Sequence, residues 1–91
     1  MEYELIFPKQ VEKKIEALKR DEPQVHEKLL KLIAELRKHP EAGTGHVKPL
    51  KCNLAGCYSR RITQKHRLIY QINKEEQAVL IIAVGGHYAD K

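Results

Sequence analysis

Residues 57–72 read CYSRRITQKHRLIYQI. Two β-rich runs flank a polar break at Thr63-Gln64-Lys65, the layout of an antiparallel hairpin. Period-two alternation puts Cys57, Ser59 and Arg61 on one face of the first strand and Tyr58, Arg60 and Ile62 on the other. The loop closure decides which residues meet. A loop with an odd number of residues, centred on Gln64, sets Arg61 directly across from Arg67, with the side chains ~5 Å apart. An even loop shifts the pairing by one residue. In the first register two guanidinium groups repel each other unless an anion sits between them, an arrangement that suits a phosphate.

Downstream, Asn73-Lys74-Glu75-Glu76 reads as a turn and Ala78 to Val84 as a nearly apolar central strand covered on both faces. Gly85-Gly86 then ends it before His87-Tyr88. Upstream, Asn53-Leu54-Ala55-Gly56 reads as a turn and Lys48 to Lys51 as a short strand. Before His46 the period changes. Val25, Leu29, Leu32, Ile33 and Leu36 make a continuous helical stripe, ended by Pro40 and a Gly43-Thr44-Gly45 link. Arg37, Lys38 and His39 complement that helix's C-terminal dipole. Val11, Ile15 and Leu18 mark an earlier helix that starts after Pro8. The two helices break at Asp21-Glu22-Pro23, where Asp21 or Glu22 can cap the second. Tyr3 to Phe7 is a first short strand. The pattern predicts a single α+β domain over residues 1–91: an N-terminal strand, two helices, then a mostly antiparallel sheet with the helices packed on one face.

A hydrophobic content of 42% and a charged content of 32% fit a soluble globule, not a disordered chain. A domain of 91 residues buries only ~60–65% of its unfolded surface, which leaves little room for a deep cavity. No apolar run approaches a membrane span and the acidic N-terminus lacks a signal layout, so the expected location is the cytoplasm. Cys52 and Cys57 are too few for a disulfide framework or a zinc site and are expected as reduced thiols. Charge is unevenly placed. Ala42 to Lys74 carries Lys48, Lys51, Arg60, Arg61, Lys65, Arg67 and Lys74 and no Asp or Glu. The preceding residues are neutral in sum and the last seventeen are net −2, so the chain's +5 originates in this segment. A one-signed stretch of this length attracts a polyphosphate such as RNA.

Within that segment, Lys51, Arg60, Arg61 and Lys65 are candidate RNA contacts. Tyr58, Tyr70 and Tyr88 are sheet residues by default that, beside cations, can also stack on bases. His87 can hold a transferable proton near neutral pH, as a general acid must. His66, at a strand start, reads as structural, and His26 and His39 need no function.

Pro49-Leu50-Lys51, Asn53-Leu54-Ala55-Gly56, Tyr58-Ser59-Arg60-Arg61-Ile62-Thr63, His66-Arg67-Leu68-Ile69-Tyr70 and His87-Tyr88 resemble the YoeB (Txe/YoeB) branch of the RelE/ParE toxin superfamily. The resemblance implies a RelE-like fold and a toxin of a type II toxin-antitoxin system, one that cuts mRNA on the ribosome. It implies that Arg67 stabilises the phosphoryl transition state, that His87 protonates the leaving oxygen, and that Lys51, Arg61 and Tyr88 support them. One departure stands out. Where the family usually places a glutamate as general base, this chain has Lys48. A lysine takes a proton only as the neutral amine, the form that neighbouring cations favour.

Attack of a ribose 2′-hydroxyl on its phosphate builds negative charge that preorganised cations stabilise by several kcal/mol. With no carboxylate from Ala42 to Lys74 to ligate Mg²⁺, the expected route uses no metal and no cofactor. The alternative is a non-catalytic toxin-fold binder, either an inactivated toxin or a ParE-like gyrase inhibitor, and Lys48 is its best support. In every toxin version the partners are the ribosome and mRNA, or gyrase, together with a cognate antitoxin whose acidic segment covers the basic face. The resemblance also implies self-association as a homodimer, and no membrane.

Overall fold

The structure, a computed structural model, describes residues 2–41, 48–49 and 56–86. Among these residues seven elements follow one another: β1 (Glu4–Ile6), α1 (Lys9–Asp21), α2 (Pro23–Lys38), β2 (Lys48–Pro49), β3 (Cys57–Arg61), β4 (His66–Asn73) and β5 (Ala78–Gly86). The strands form one five-stranded sheet in the order β1-β5-β4-β3-β2. β1 runs parallel to β5, and every other neighbouring pair is antiparallel. This is the predicted α+β arrangement, with β1 returning to lie beside the last strand.

The helices cover one sheet face. Val11 and Leu18 of α1 and Val25, Leu29, Leu32 and Leu36 of α2 are buried against Leu68, Tyr70 and Ile72 of β4 and Val79, Ile81 and Val84 of β5. The α2 stripe read from sequence is therefore the helix side of the core, with Ile33 packed at its rim. Pro23 opens α2, where its missing N–H costs nothing. Neither predicted cap acts as one. Glu22 occupies the N-cap position without a side-chain cap bond. Its carboxylate instead lies 3.4 Å from His66 Nε2, tying the joint between the helices to the β3–β4 turn. Asp21 accepts a bond from Arg20 at 3.3 Å.

Two further expectations change. β5 does not stop before Gly85-Gly86 but runs through both, pairing Gly85 with Arg67 and Gly86 with His66. Nor is β5 covered on both faces among the described residues, since Ile82 is 39% exposed. Ile82 lies where the β4–β5 register slips: Ile69 pairs with Ala83 and Tyr70 with Ile81, so one extra residue is accommodated on β5. The expectation of two reduced thiols also fails, because Cys57 is buried and disulfide-bonded. The sequence holds one other cysteine, Cys52, outside the described residues.

Candidate functional site

The β3–β4 hairpin closes in the odd register. Ile62 N donates to His66 O at 2.8 Å, and the ladder below pairs Arg61 with Arg67, Arg60 with Leu68 and Ser59 with Ile69. Thr63 shapes the turn: its hydroxyl accepts from the backbone N of Lys65 and of His66 and lies 2.8 Å from His66 Nδ1. His66 is thereby held on two sides, by Thr63 and Glu22, in the structural role the sequence suggested.

Directly opposed residues of an antiparallel pair share a face. Arg61, Arg67 and Ser59 thus stand on the face away from the helices. β2 adds to it, because its register sets Lys48 opposite Ser59. Three cationic positions from three strands fall on one face, and among the described residues no carboxylate pairs with Arg61 or Arg67. Like charges directly opposed across a ladder destabilise it. The arrangement becomes favourable once an anion bridges the two guanidinium groups. Lys65, exposed in the turn, sits two residues from Arg67 at the same end of the hairpin. Lys51, His87 and Tyr88 lie outside the described residues, as does the side chain of Lys48.

Arg60 and Tyr58 do not belong to this face. Alternation puts both toward the helices, and there Arg60 is wholly buried. Its Nε donates to Tyr70 Oη at 3.0 Å, its Nη1 to Glu35 Oε1 at 2.9 Å, and its Nη2 to the His39 carbonyl. Tyr70 Oη donates onward to the Pro40 carbonyl at 2.9 Å. Desolvation raises the Tyr70 pKa above its ordinary value, although Arg60 opposes the rise. Tyr58 stacks on Tyr70, with ring centroids 6.0 Å apart and planes 19° from parallel. These residues fasten the C-terminal end of α2 to the sheet. A buried guanidinium with all its partners in the fold cannot reach RNA. Tyr70, equally buried, cannot stack on a base.

Among the described residues, two clefts flank the sheet. One, of about 450 Å³, lies at the end of β4 remote from Arg67 and is lined by Ile6, Leu80, Asn73 and the mixed charges of Lys74, Glu75 and Glu76. The other, of about 320 Å³, adjoins Gly85, the ladder partner of Arg67. It includes Lys14 of α1, which the sequence reading passed over as one more helix lysine. No helix among the described residues is long and apolar enough to cross a membrane.

Comparison with known proteins gives the same picture. The chain is 44% identical over 61 residues to Toxin YoeB of Escherichia coli K12, covering 67% of this chain and 70% of that one. Among solved structures, the YoeB/ParE toxin from Agrobacterium tumefaciens superposes with a TM-score of 0.84 at 33% identity, covering 93% of this chain and 99% of its own. The YoeB of a YoeB-YefM complex from Staphylococcus aureus superposes with a TM-score of 0.78 at 27% identity, covering 97% of this chain and 100% of its own. Residues 7–88 match the family described as YoeB-like toxin of bacterial type II toxin-antitoxin system. With that match running from the end of β1 past the end of β5, this chain belongs to the YoeB-like toxins and is a toxin of the type II toxin-antitoxin class.

Proposed function

We propose that this toxin is an endoribonuclease that cuts mRNA bound in the ribosome, using its own side chains and no metal ion. The observation that carries the reading is the Arg61–Arg67 cross-strand pair, with Lys48 in register on the same face. A pair of unpartnered cations costs the fold stability and repays it when a phosphate arrives.

In the proposed step Lys48, as the neutral amine, takes the proton of a ribose 2′-hydroxyl. The 2′-oxygen forms a bond to the adjacent phosphorus while the bond from phosphorus to the 5′-oxygen breaks. Arg67 and Arg61 hold the phosphoryl oxygens as charge accumulates on them, and electrostatic stabilisation of this kind supplies several kcal/mol. His87, the residue after Gly86 in sequence, gives a proton to the departing 5′-oxygen. Tyr88 and Lys51 support the bound strand, and Lys65 adds long-range attraction from the turn. The products are a 2′,3′-cyclic phosphate and a 5′-hydroxyl.

The cytoplasm, where messages are translated, is the site of action. The restraining partner is a cognate antitoxin whose acidic segment neutralises the cationic face. The S. aureus relative in complex with YefM, one of a family of toxins defined by such pairing, supports that assignment. A homodimer is the proposed alternative assembly, as in the YoeB dimer from the same organism.

The test is to incubate the protein with programmed ribosomes, with and without EDTA once the ribosomes are fixed in their functional state, and to map the mRNA ends. Cleavage with 2′,3′-cyclic ends, unaffected by chelation of free metal and lost in Arg67→Ala and His87→Ala, is expected. Intact message at high protein concentration, with binding demonstrated, would refute the reading. Growth arrest that survives His87→Ala would favour the non-catalytic alternative that Lys48 motivates.

A further inference from the structure

Gly85 stands beside Arg67 in the β4–β5 ladder and has φ +139°, a conformation that L side chains rarely adopt. The space its missing Cβ leaves is filled from the helix layer. A Cβ there would fall 2.9 Å from Lys14 Cε and 3.6 Å from Lys14 Nζ. The glycine thus lets a lysine of α1 lie across the end of β5, one strand away from Arg67. Among the described residues no carboxylate pairs with Lys14.

The surroundings are open. The pairing of β1 with β5 stops at Ile6 and Leu80, so the outer edge of β5 from Ile81 onward has no strand neighbour among the described residues. The cleft of about 320 Å³ runs along that edge, between Gln10, Val11 and Lys14 on one wall and Ile82 to Gly85 on the other. Its volume lies near the lower end of the range for small-ligand clefts, about 300–1,000 Å³. A lone ammonium over the strand end, beside the ladder partner of Arg67, matches one chemistry best: the next phosphate of the same polynucleotide.

We propose that Lys14 binds the RNA phosphate adjacent to the scissile one, so that the strand runs off the β3–β4 hairpin and across the end of β5. This rests on the ribonuclease reading above. Lys14 acts by holding the strand, not by touching the reacting atoms, and removing it weakens binding while leaving the chemical step intact. An exposed single charge contributes on the scale of a surface ion pair, which converts to about a two- to fivefold change in affinity.

The experiment compares wild type, Lys14→Gln, Lys14→Arg and Lys13→Gln. Lys13 is also exposed on α1 but lines neither cleft, so it controls for net charge. Cleavage kinetics give KM and kcat. Anisotropy of a labelled, 2′-O-methylated oligoribonucleotide, which cannot be cut, gives affinity against salt. Lys14→Gln is expected to raise KM about two- to fivefold with kcat within twofold, and to flatten the log–log salt slope by about 0.7, one single-strand phosphate contact. Lys14→Arg should restore both, and Lys13→Gln should match wild type. A Lys14→Gln protein indistinguishable from wild type, or from Lys13→Gln, overturns the proposal while wild-type cleavage still stands. Wild-type protein that neither binds nor cuts RNA would overturn the functional reading itself, and this inference with it.

Discussion

Replacing Tyr70 by Phe removes one oxygen from the most enclosed polar cluster among the described residues. That oxygen accepts from the Arg60 guanidinium at 3.0 Å and donates to the Pro40 carbonyl at 2.9 Å. A hydrogen bond to a charged group contributes ~1.5–3 kcal/mol and a neutral one ~0.5–1.5 kcal/mol. Arg60 keeps Glu35 and the His39 carbonyl, so part of its loss is recovered, and the expected cost is about 2–3 kcal/mol. For a domain of this size each kcal/mol moves Tm by ~4–8 °C, giving a fall of about 8–24 °C. The assay is urea unfolding followed by circular dichroism, with an unchanged m-value as the check that only stability moved. Tyr58→Phe is the control. It makes the same chemical change in the ring stacked on Tyr70, but no hydroxyl bond of Tyr58 is found among the described residues, so it should stay within ~0.5 kcal/mol of wild type. If Tyr70→Phe also stayed within that margin, the buried cluster would not be holding α2 to the sheet, and the removal of Arg60 from the RNA-binding set would lose its basis.

Three other outcomes follow from the same geometry. Arg61→Gln should stabilise the free protein by about 0.2–1 kcal/mol at low salt, because it removes a like-charge pair from directly opposed positions, and the gain should shrink as salt is added; equal stability at every ionic strength would count against the pairing. Gly56→Ala should cost at least ~1–3 kcal/mol in chemical denaturation, since Gly56 has φ +86° and a Cβ there would meet the Ile72 carbonyl oxygen at 2.9 Å; a neutral result would mean the turn adopts another conformation. The pH dependence has a definite sign: burial raises the Tyr70 pKa, so its contribution is complete below the unfolded value near 10 and is lost as pH rises from there through the folded value. The stability difference between wild type and Tyr70→Phe should therefore narrow only in alkali. Lys74, also raised, by its 2.7 Å bond to Glu41, is too exposed to add much.

What the sequence conveyed depended on how local the signal was. Period two in residues 57–62 assigned Ser59 and Arg61 to one face and Tyr58 and Arg60 to the other correctly, because alternation is a property of the strand itself. It could not say which face met the helices. That answer lies in Glu35 and the His39 carbonyl, 25 and 21 residues from Arg60 in the chain, and so Arg60 passed for a surface cation. The cross-strand arginine pair was legible only as one of two registers. The choice rests on a turn in which the Thr63 hydroxyl accepts two backbone bonds. Lys14 was illegible for a related reason. On α1 it is one exposed lysine among several, and its proposed role depends on a glycine 71 positions later.

The two faces of β3 explain how so small a domain can carry the proposed site. On the helix side, Arg60 is a charge whose burial is tolerable because three acceptors surround it. Breaking a buried set of this kind is far more costly than omitting it would have been. One residue later, Arg61 faces Arg67 with no counter-ion among the described residues, a local conflict that a sequence selected for stability alone would remove. The same strand backbone sets both side chains, so the rigidity gained by fastening Arg60 fixes where Arg61 and Arg67 stand. In the proposed reading, a phosphate that bridges them meets cations already in place and spends little binding energy on ordering them. Loosening the Arg60–Tyr70 cluster should accordingly lower the affinity for RNA even though none of its atoms can touch it.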